Sequence, residues 1–167
     1  QEILLPDTPV ILERAVSASR STAYTFVAAI HHGEVIGLHS TRTNPLAGEL
    51  VLPWLFERTE TIRREVSFGT SRYDFAAETD QGTVLVEVKS CTLCEEGVAM
   101  FPDAPTSRGV KHILQMAQLV REKKVAGGIV LFIVGNPSAR VFIPNIHTDQ
   151  VFSKALTAAA SVLTVKA

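Results

Sequence analysis

The sequence predicts an α/β fold with a mixed sheet flanked by helices, antiparallel at one hairpin and parallel beyond it. Three observations carry this. Ser71 to Ser90 reads as two apolar strands about an Asp80-Gln81-Gly82 turn. From Thr106 or Ser107 onward, Val110, Ile113, Leu114 and Ala117 recur at helical spacing, with Val120 extending the stripe. Ile129 to Val134 is a continuous apolar run, as a strand covered on both faces requires. Strand, helix and strand in that order imply a βαβ crossover, and so a parallel partner for the second hairpin strand.

Size and composition set the outer limits. At 167 residues the chain can bury one proper core without disulfide staples. With 46% hydrophobic and 20% charged residues it is not a disordered chain, and no apolar run approaches the ~20 residues of a membrane span. It reads as a soluble, cytoplasmic protein with no membrane partner. A net charge of -1 provides no global attraction for nucleic acid, so any such binding must come from a local patch. Cys91 and Cys94 form a lone C-x-x-C, and the adjacent His31 and His32 would point to opposite faces of a strand, so zinc is disfavoured against free thiols. The chain starts at Gln1 with no signal-peptide pattern and reads as a fragment or a trimmed product.

In chain order, residues 1–40 form a β-rich segment: Val10 to Leu12, Ala23 to Ile30, a His31-His32-Gly33-Glu34 turn, then Val35 to Leu38. A meander of that size has too little core to stand alone. It is the end of a β-rich unit or an extension packed on the domain after it. Asn44 and Pro45 read as the cap and first residue of a helix running to Leu52, with Leu46, Leu50 and Ala47 toward the core and Glu49 near the edge of that face. A short helix from Trp54 to Glu60 precedes a strand from Ile62 to Phe68. Cys91 to Pro105 is rich in turn formers and reads as a long connection. The end of the chain repeats the alternation, with a strand Val141 to Ile143, a helix Asp149 to Ala160 and a strand Val162 to Val165.

The chemistry concentrates in the hairpin. The two-residue period of a strand sends Arg72, Asp74 and Ala76 to one face, and Leu85, Glu87 and Lys89 to one face of the next strand. Glu87 and Lys89 are then about 7 Å apart at Cα. If the charged faces pair, two carboxylates and an ammonium share one half-buried pocket, which costs free energy unless a cation or an anionic substrate compensates it. Asp followed by Glu-x-Lys on the next strand is the arrangement of restriction-endonuclease-like nucleases. Mg²⁺ or Mn²⁺ would be held by hard oxygens from Asp74, Glu87 and the Val88 carbonyl, with Glu49 a further carboxylate, while Lys89 orients water or stabilises phosphoryl charge. The competing reading is a pair of solvated cross-strand charges. Arg108 and Lys111 open the following helix, where cations and free amides can receive phosphate. Arg72 is either a phosphate ligand or a structural partner of the carboxylates, and His112 reads as a packed or solvated histidine.

These same segments carry a resemblance. Ser71-Arg72-Tyr73-Asp74-Phe75, Val86-Glu87-Val88-Lys89 and the run from Phe101 to His112 closely resemble the sugar fermentation stimulation protein A family of prokaryotes, as do the Asn44-Pro45-Leu46 start with Glu49 and the Ile129 to Val134 strand. The resemblance implies an N-terminal oligonucleotide-binding-type (OB-like) barrel, of which residues 1–40 keep only a remnant, followed by a nuclease-like domain over 41–167. It implies DNA binding and a regulatory link to sugar utilisation. Asp74, Glu87 and Lys89 would form the nuclease-like triad, Glu49 the preceding helix acid, and Arg72, Arg108 and Lys111 the basic accompaniment. Three functions compete: a metal-dependent phosphodiesterase acting on DNA, a DNA-binding regulator that keeps the fold without turnover, or a small-molecule or protein-interaction domain with a structural charge cluster.

Overall fold

The computed structural model describes residues 3–15, 21–57 and 61–167. The β-rich start folds as expected into an antiparallel sheet of β1 (Val10–Arg14), β2 (Tyr24–His31) and β3 (Glu34–Gly37), turned by His32 and Gly33, both at positive φ. A helical stretch follows, in which α1 (Thr43–Leu46) passes through one wide π turn, Ala47–Val51, into α2 (Leu52–Leu55). Then come β4 (Thr61–Phe68), β5 (Ser71–Thr79), β6 (Gly82–Cys91), β7 (Cys94–Glu95), β8 (Val98–Phe101), α3 (Ser107–Arg121), β9 (Gly127–Val134), β10 (Val141–Pro144), α4 (Gln150–Ala159) and β11 (Thr164–Lys166).

The centre is a five-stranded mixed sheet in the order β11-β9-β6-β5-β4. The β4-β5-β6 part is antiparallel and the β6-β9-β11 part parallel, as the sequence predicts. One face carries α3 and α4, whose Ile113, Met116, Phe152 and Leu156 pack on Tyr73, Ala76, Leu85 and Phe132. The other carries α1 and α2, where Ala47 and Leu52 cover Phe75, Val86, Val88 and Leu131. Asp149 joins the two helices of the first face: one carboxylate oxygen caps α4 through the Phe152 amide at 2.9 Å, and the other accepts from Thr106, the cap of α3, at 2.9 Å.

Four local expectations are corrected. Leu46 and Leu50 face solvent, Leu50 at 68% exposure, while Ala47 and Leu52 fill the core. The reason is the π turn, which places residues five apart on one face and so shifts the apolar stripe out of the ordinary helical phase. Trp54 and Leu55 belong to α2, and the remainder of the expected Trp54 to Glu60 helix is not helical at Phe56 and Glu57 and lies outside the described residues at 58–60. The connection from Cys91 to Pro105 is no bare loop: β7 and β8 pair antiparallel within it, and β10 adds to β8 in parallel. Along α3 the buried stripe is Gly109, His112, Ile113, Met116 and Ala117, with Leu114 exposed.

The N-terminal sheet meets the central one through backbone. Gly37 donates its N–H to the Gly135 carbonyl at 2.9 Å, and a β-carbon on Gly135 would lie 2.4 Å from the Gly37 oxygen. A carbonyl cannot swing aside as a side chain can. Gly135→Ala should therefore cost about 1–3 kcal/mol, as overpacking does, and speed amide exchange in β3, both read by denaturation and hydrogen exchange. Unchanged stability and exchange would mean that this contact does not hold the N-terminal sheet.

Candidate functional site: a buried carboxylate beside a broken ladder

The hairpin register runs Thr79↔Gly82, Glu78↔Thr83, Ala77↔Val84, Ala76↔Leu85 and Phe75↔Val86, and stops there. Continued, it would set Asp74 opposite Glu87, as the sequence spacing predicts. The β4–β5 ladder also skips this level: Arg64 pairs with Phe75 and Val66 with Tyr73, while Glu65 between them takes a positive φ of 55°. Strand alternation breaks at the same point. Tyr73 shares the α3 face with Ala76, and Phe75 lies on the opposite face. The expected alternation, with Arg72, Asp74 and Ala76 on one face and the residues between them on the other, therefore fails at Asp74.

The break gives Asp74 its place. Its Oδ2 accepts the Val88 N–H at 2.7 Å, a donor that an unbroken antiparallel ladder would spend on the β5 backbone. Its Oδ1 accepts from the Asn44 amide at 2.6 Å. Asn44 is thus not the helix cap its sequence position suggests. The cap position of α1 falls at Arg42 with no side-chain bond, and Asn44 sits inside the helix and points at the sheet.

Glu87 faces the other way, under α3, and is only 3% exposed. Its Oε1 accepts from Lys89 Nζ at 2.5 Å and meets His112 Nδ1 at 2.7 Å. An ionised carboxylate offers only acceptors, so this contact requires the proton on Nδ1. Oε2 is buried with no hydrogen-bond partner. The imidazole rests against the Tyr73 ring, centroids 5.9 Å apart. The Tyr73 hydroxyl is also buried, close to the Ser71 hydroxyl, which donates to Gln115. Burial, and next the Glu87 charge, push the Tyr73 phenol up to about 12.

The other expected residues lie around this pair. Glu49 is exposed on the π turn, beside Gly48, whose position would bring a β-carbon 3.1 Å from the Phe75 ring. Among the described residues no hydrogen bond or ion pair links it to Asp74 or Glu87, and no group of three or more His, Cys, Asp and Glu side chains is arranged to hold a metal. Arg72 is exposed and pairs with Glu65 at 3.0 Å, not with Asp74. Arg108 and Lys111 sit exposed in the first turns of α3. Sequence reasoning missed the roles of His112 and Asn44. The available signal for His112 was its position between two apolar neighbours of the helix stripe, one residue before Ile113. Cys91 is buried, its thiol pushed up to about 11 by that burial, and Cys94 is partly exposed; both are free.

The donor set suits a hard divalent cation in one respect that can be tested on the structure itself. Glu87 carries a buried oxygen with unused acceptor capacity, and one or two carboxylates with water and phosphate are what Mg²⁺ usually takes from a protein. The Val88 carbonyl lies on the same strand edge as the N–H that meets Asp74, because a strand residue directs both groups to one side.

Fold and site together define a mixed α/β protein whose central hairpin carries an acid pair and a lysine, with a buried histidine from α3 against one of the acids. A family model described as the sugar fermentation stimulation protein RE domain matches residues 41–165. A sugar fermentation stimulation protein homolog from Desulfitobacterium hafniense is 38% identical over 156 residues, covering 93% of this chain and 68% of the relative. One from Methanothermobacter thermautotrophicus is 38% identical over 159 residues, covering 93% and 65%. The structure of Pyrococcus furiosus SfsA in complex with Ca²⁺ superposes with a TM-score of 0.84 at 28% identity, covering 98% of this chain and 71% of that one. The chain belongs to the sugar fermentation stimulation protein family. No helix among its described residues is long and apolar enough to cross a membrane.

The raised Tyr73 pKa has a direct consequence. The contribution of the neutral phenol is complete below the ordinary tyrosine value of about 10 and is lost as pH rises through about 12. Wild type should lose stability over that window, and Tyr73→Phe, which keeps the ring, should lose less of it. Urea denaturation at a series of alkaline pH values checks this; parallel curves for the two proteins would refute it.

Proposed function

We propose that this chain carries a divalent-metal site of the restriction-endonuclease-like kind and acts on DNA, hydrolysing phosphodiester bonds, in a protein linked to the regulation of sugar utilisation. The observation that supports this most is the unpartnered buried Oε2 of Glu87, whose other oxygen takes Lys89 and whose neighbour in the chain, Val88, gives its N–H to the Asp74 carboxylate. A buried carboxylate oxygen left without a donor costs roughly 1–3 kcal/mol or more, and a site that receives a cation there has a reason to keep it.

Asp74, Glu87 and the Val88 carbonyl would hold Mg²⁺ or Mn²⁺, with Glu49 reaching in only if its exposed side chain turns toward the sheet. The Ca²⁺ of the Pyrococcus furiosus relative supports an oxygen-preferring cation in this family. Such a cation polarises a phosphoryl oxygen and lowers the pKa of a bound water. The chain's own residues then have distinct tasks. Asn44 and the Val88 amide hold the Asp74 carboxylate in one orientation. Lys89 brings a positive charge to the site, where it can stabilise a phosphoryl oxygen. Arg108 and Lys111, exposed at the start of α3, receive the flanking phosphates, and Arg72 does so only by leaving Glu65. Residues 1–40 would be the remnant of an OB-like domain, 41–167 the nuclease-like domain, and action on DNA implies the cytoplasm.

The alternative, a DNA-binding regulator without turnover, is favoured by one specific feature: Glu87 Oε1 is already matched by Lys89 and His112, so its charge is compensated without metal. The two readings separate on incubation of single- and double-stranded DNA with Mg²⁺ or Mn²⁺. Turnover predicts cleavage by wild type and a loss of about 10²–10³-fold in Lys89→Ala, with Asp74→Ala at least as impaired; equal cleavage by the variants sinks the site. The regulator reading predicts no cleavage, binding that persists in both variants and falls steeply with salt, and weaker binding in Arg108→Ala. No affinity for any nucleic acid at low salt would leave only an interaction domain with a structural charge cluster.

A further inference from the structure

We propose that His112 is a positioning residue of this site: its Nδ1–H fixes the Glu87 carboxylate so that Oε2, not Oε1, is presented to the cation. This rests on the proposed metal site and extends it to a residue outside the Asp, Glu-x-Lys pattern.

The geometry runs through one carboxylate. Oε1 takes both donors, Lys89 Nζ at 2.5 Å and His112 Nδ1 at 2.7 Å, and Oε2 takes none. Two donors on one oxygen make the carboxylate asymmetric, and rotation about its terminal torsion would break both contacts at once. Lys89 alone cannot provide this, because an ammonium on a flexible stem follows the carboxylate wherever it turns. His112 can. It is buried on α3 between Gly109 and Met116 of the same stripe, and the Tyr73 ring lies 5.9 Å from its own. The helix is fixed in turn: Thr106 caps it through the Gly109 amide at 3.1 Å, and a β-carbon on Gly109 would lie 3.1 Å from Phe152. Outer partners of this kind, which orient a ligating side chain, alter metal affinity when removed.

Asn and Gln separate the two imidazole nitrogens, since an Asn amide can place N–H near the Nδ1 position and a Gln amide places it further out. Mn²⁺ binding is measured by calorimetric titration, with folding of each variant checked by thermal denaturation in chelator. The expected result is about 10–100-fold weaker binding in His112→Leu and His112→Gln, most of it restored in His112→Asn. In a Glu87→Ala background, His112→Leu should add nothing further, because its effect passes through Glu87. Equal affinity in wild type and His112→Leu overturns the proposal, as does an equal loss in the Asn and Gln variants or a loss that persists without Glu87. If His112→Leu fails to fold, the Asn and Gln pair decides alone. Should wild type itself bind no Mn²⁺, the metal reading fails and this inference falls with it, a result distinct from normal binding that ignores position 112.

Discussion

A backbone amide given to a side chain sets the rest of this molecule in order. Where β5 and β6 would continue as an antiparallel ladder, the Val88 N–H goes to the Asp74 carboxylate, and pairing ends at Phe75↔Val86. A buried N–H must find an acceptor, and a carboxylate is a stronger one than a carbonyl. The exchange therefore need not weaken the sheet, while it frees two strand ends to diverge. On the far side of β5, Glu65 at positive φ breaks the β4 ladder at the same level and pairs its own side chain with Arg72. A positive φ in a non-glycine residue costs of order 1–3 kcal/mol, and here it falls at the level where both ladders break.

The divergence lets the sheet send its two acids to different helices. Asp74 is held by Asn44 from α1, which packs on the Phe75, Val86 and Val88 face. Glu87 is held by His112 from α3, on the Tyr73 and Leu85 face. Burying Glu87 alone would cost several kcal/mol, and removing Lys89 would leave its charge uncompensated. Lys89 and His112 offset that cost on one oxygen only. The other oxygen stays a buried acceptor without a donor.

Much of this was legible in the sequence, for reasons that can be named. The hairpin register followed from the two-residue period and the Asp80-Gln81-Gly82 turn, and the mixed sheet from one apolar strand after an amphipathic helix. Both are local patterns with one solution. The losses have physical causes as well. Leu46 and Leu50 were assigned to the core by a period that the π turn replaces. Asn44 was read by its local capping tendency, whereas its partner Asp74 lies thirty residues on. β7 and β8 are short strands that take their stability from β10, more than forty residues later, so a turn-rich stretch concealed them. His112 was weighed as a single histidine. Only the fold shows that its helix turns it onto Glu87 and not into the core alone.

The opposed holding of the two acids has a mechanical consequence. Asp74 is braced by α1 and Glu87 by α3, so the two helical layers, together with the hairpin whose Val88 N–H meets Asp74, set where the two acids stand. Asp149 ties α3 to α4 through both helix starts, so the helix that holds Glu87 is braced by its neighbour. Its carboxylate is held below its usual range by the Phe152 and then the Thr106 amides, so that tie is complete above the ordinary carboxylate pKa and loosens as pH falls through the lowered one. The Asp74 side rests on α1, which is a single turn joined to a π segment, elements with few backbone bonds of their own. The stiffer support thus lies under the acid with the unpartnered oxygen, and the more yielding one under the acid already bonded at both oxygens.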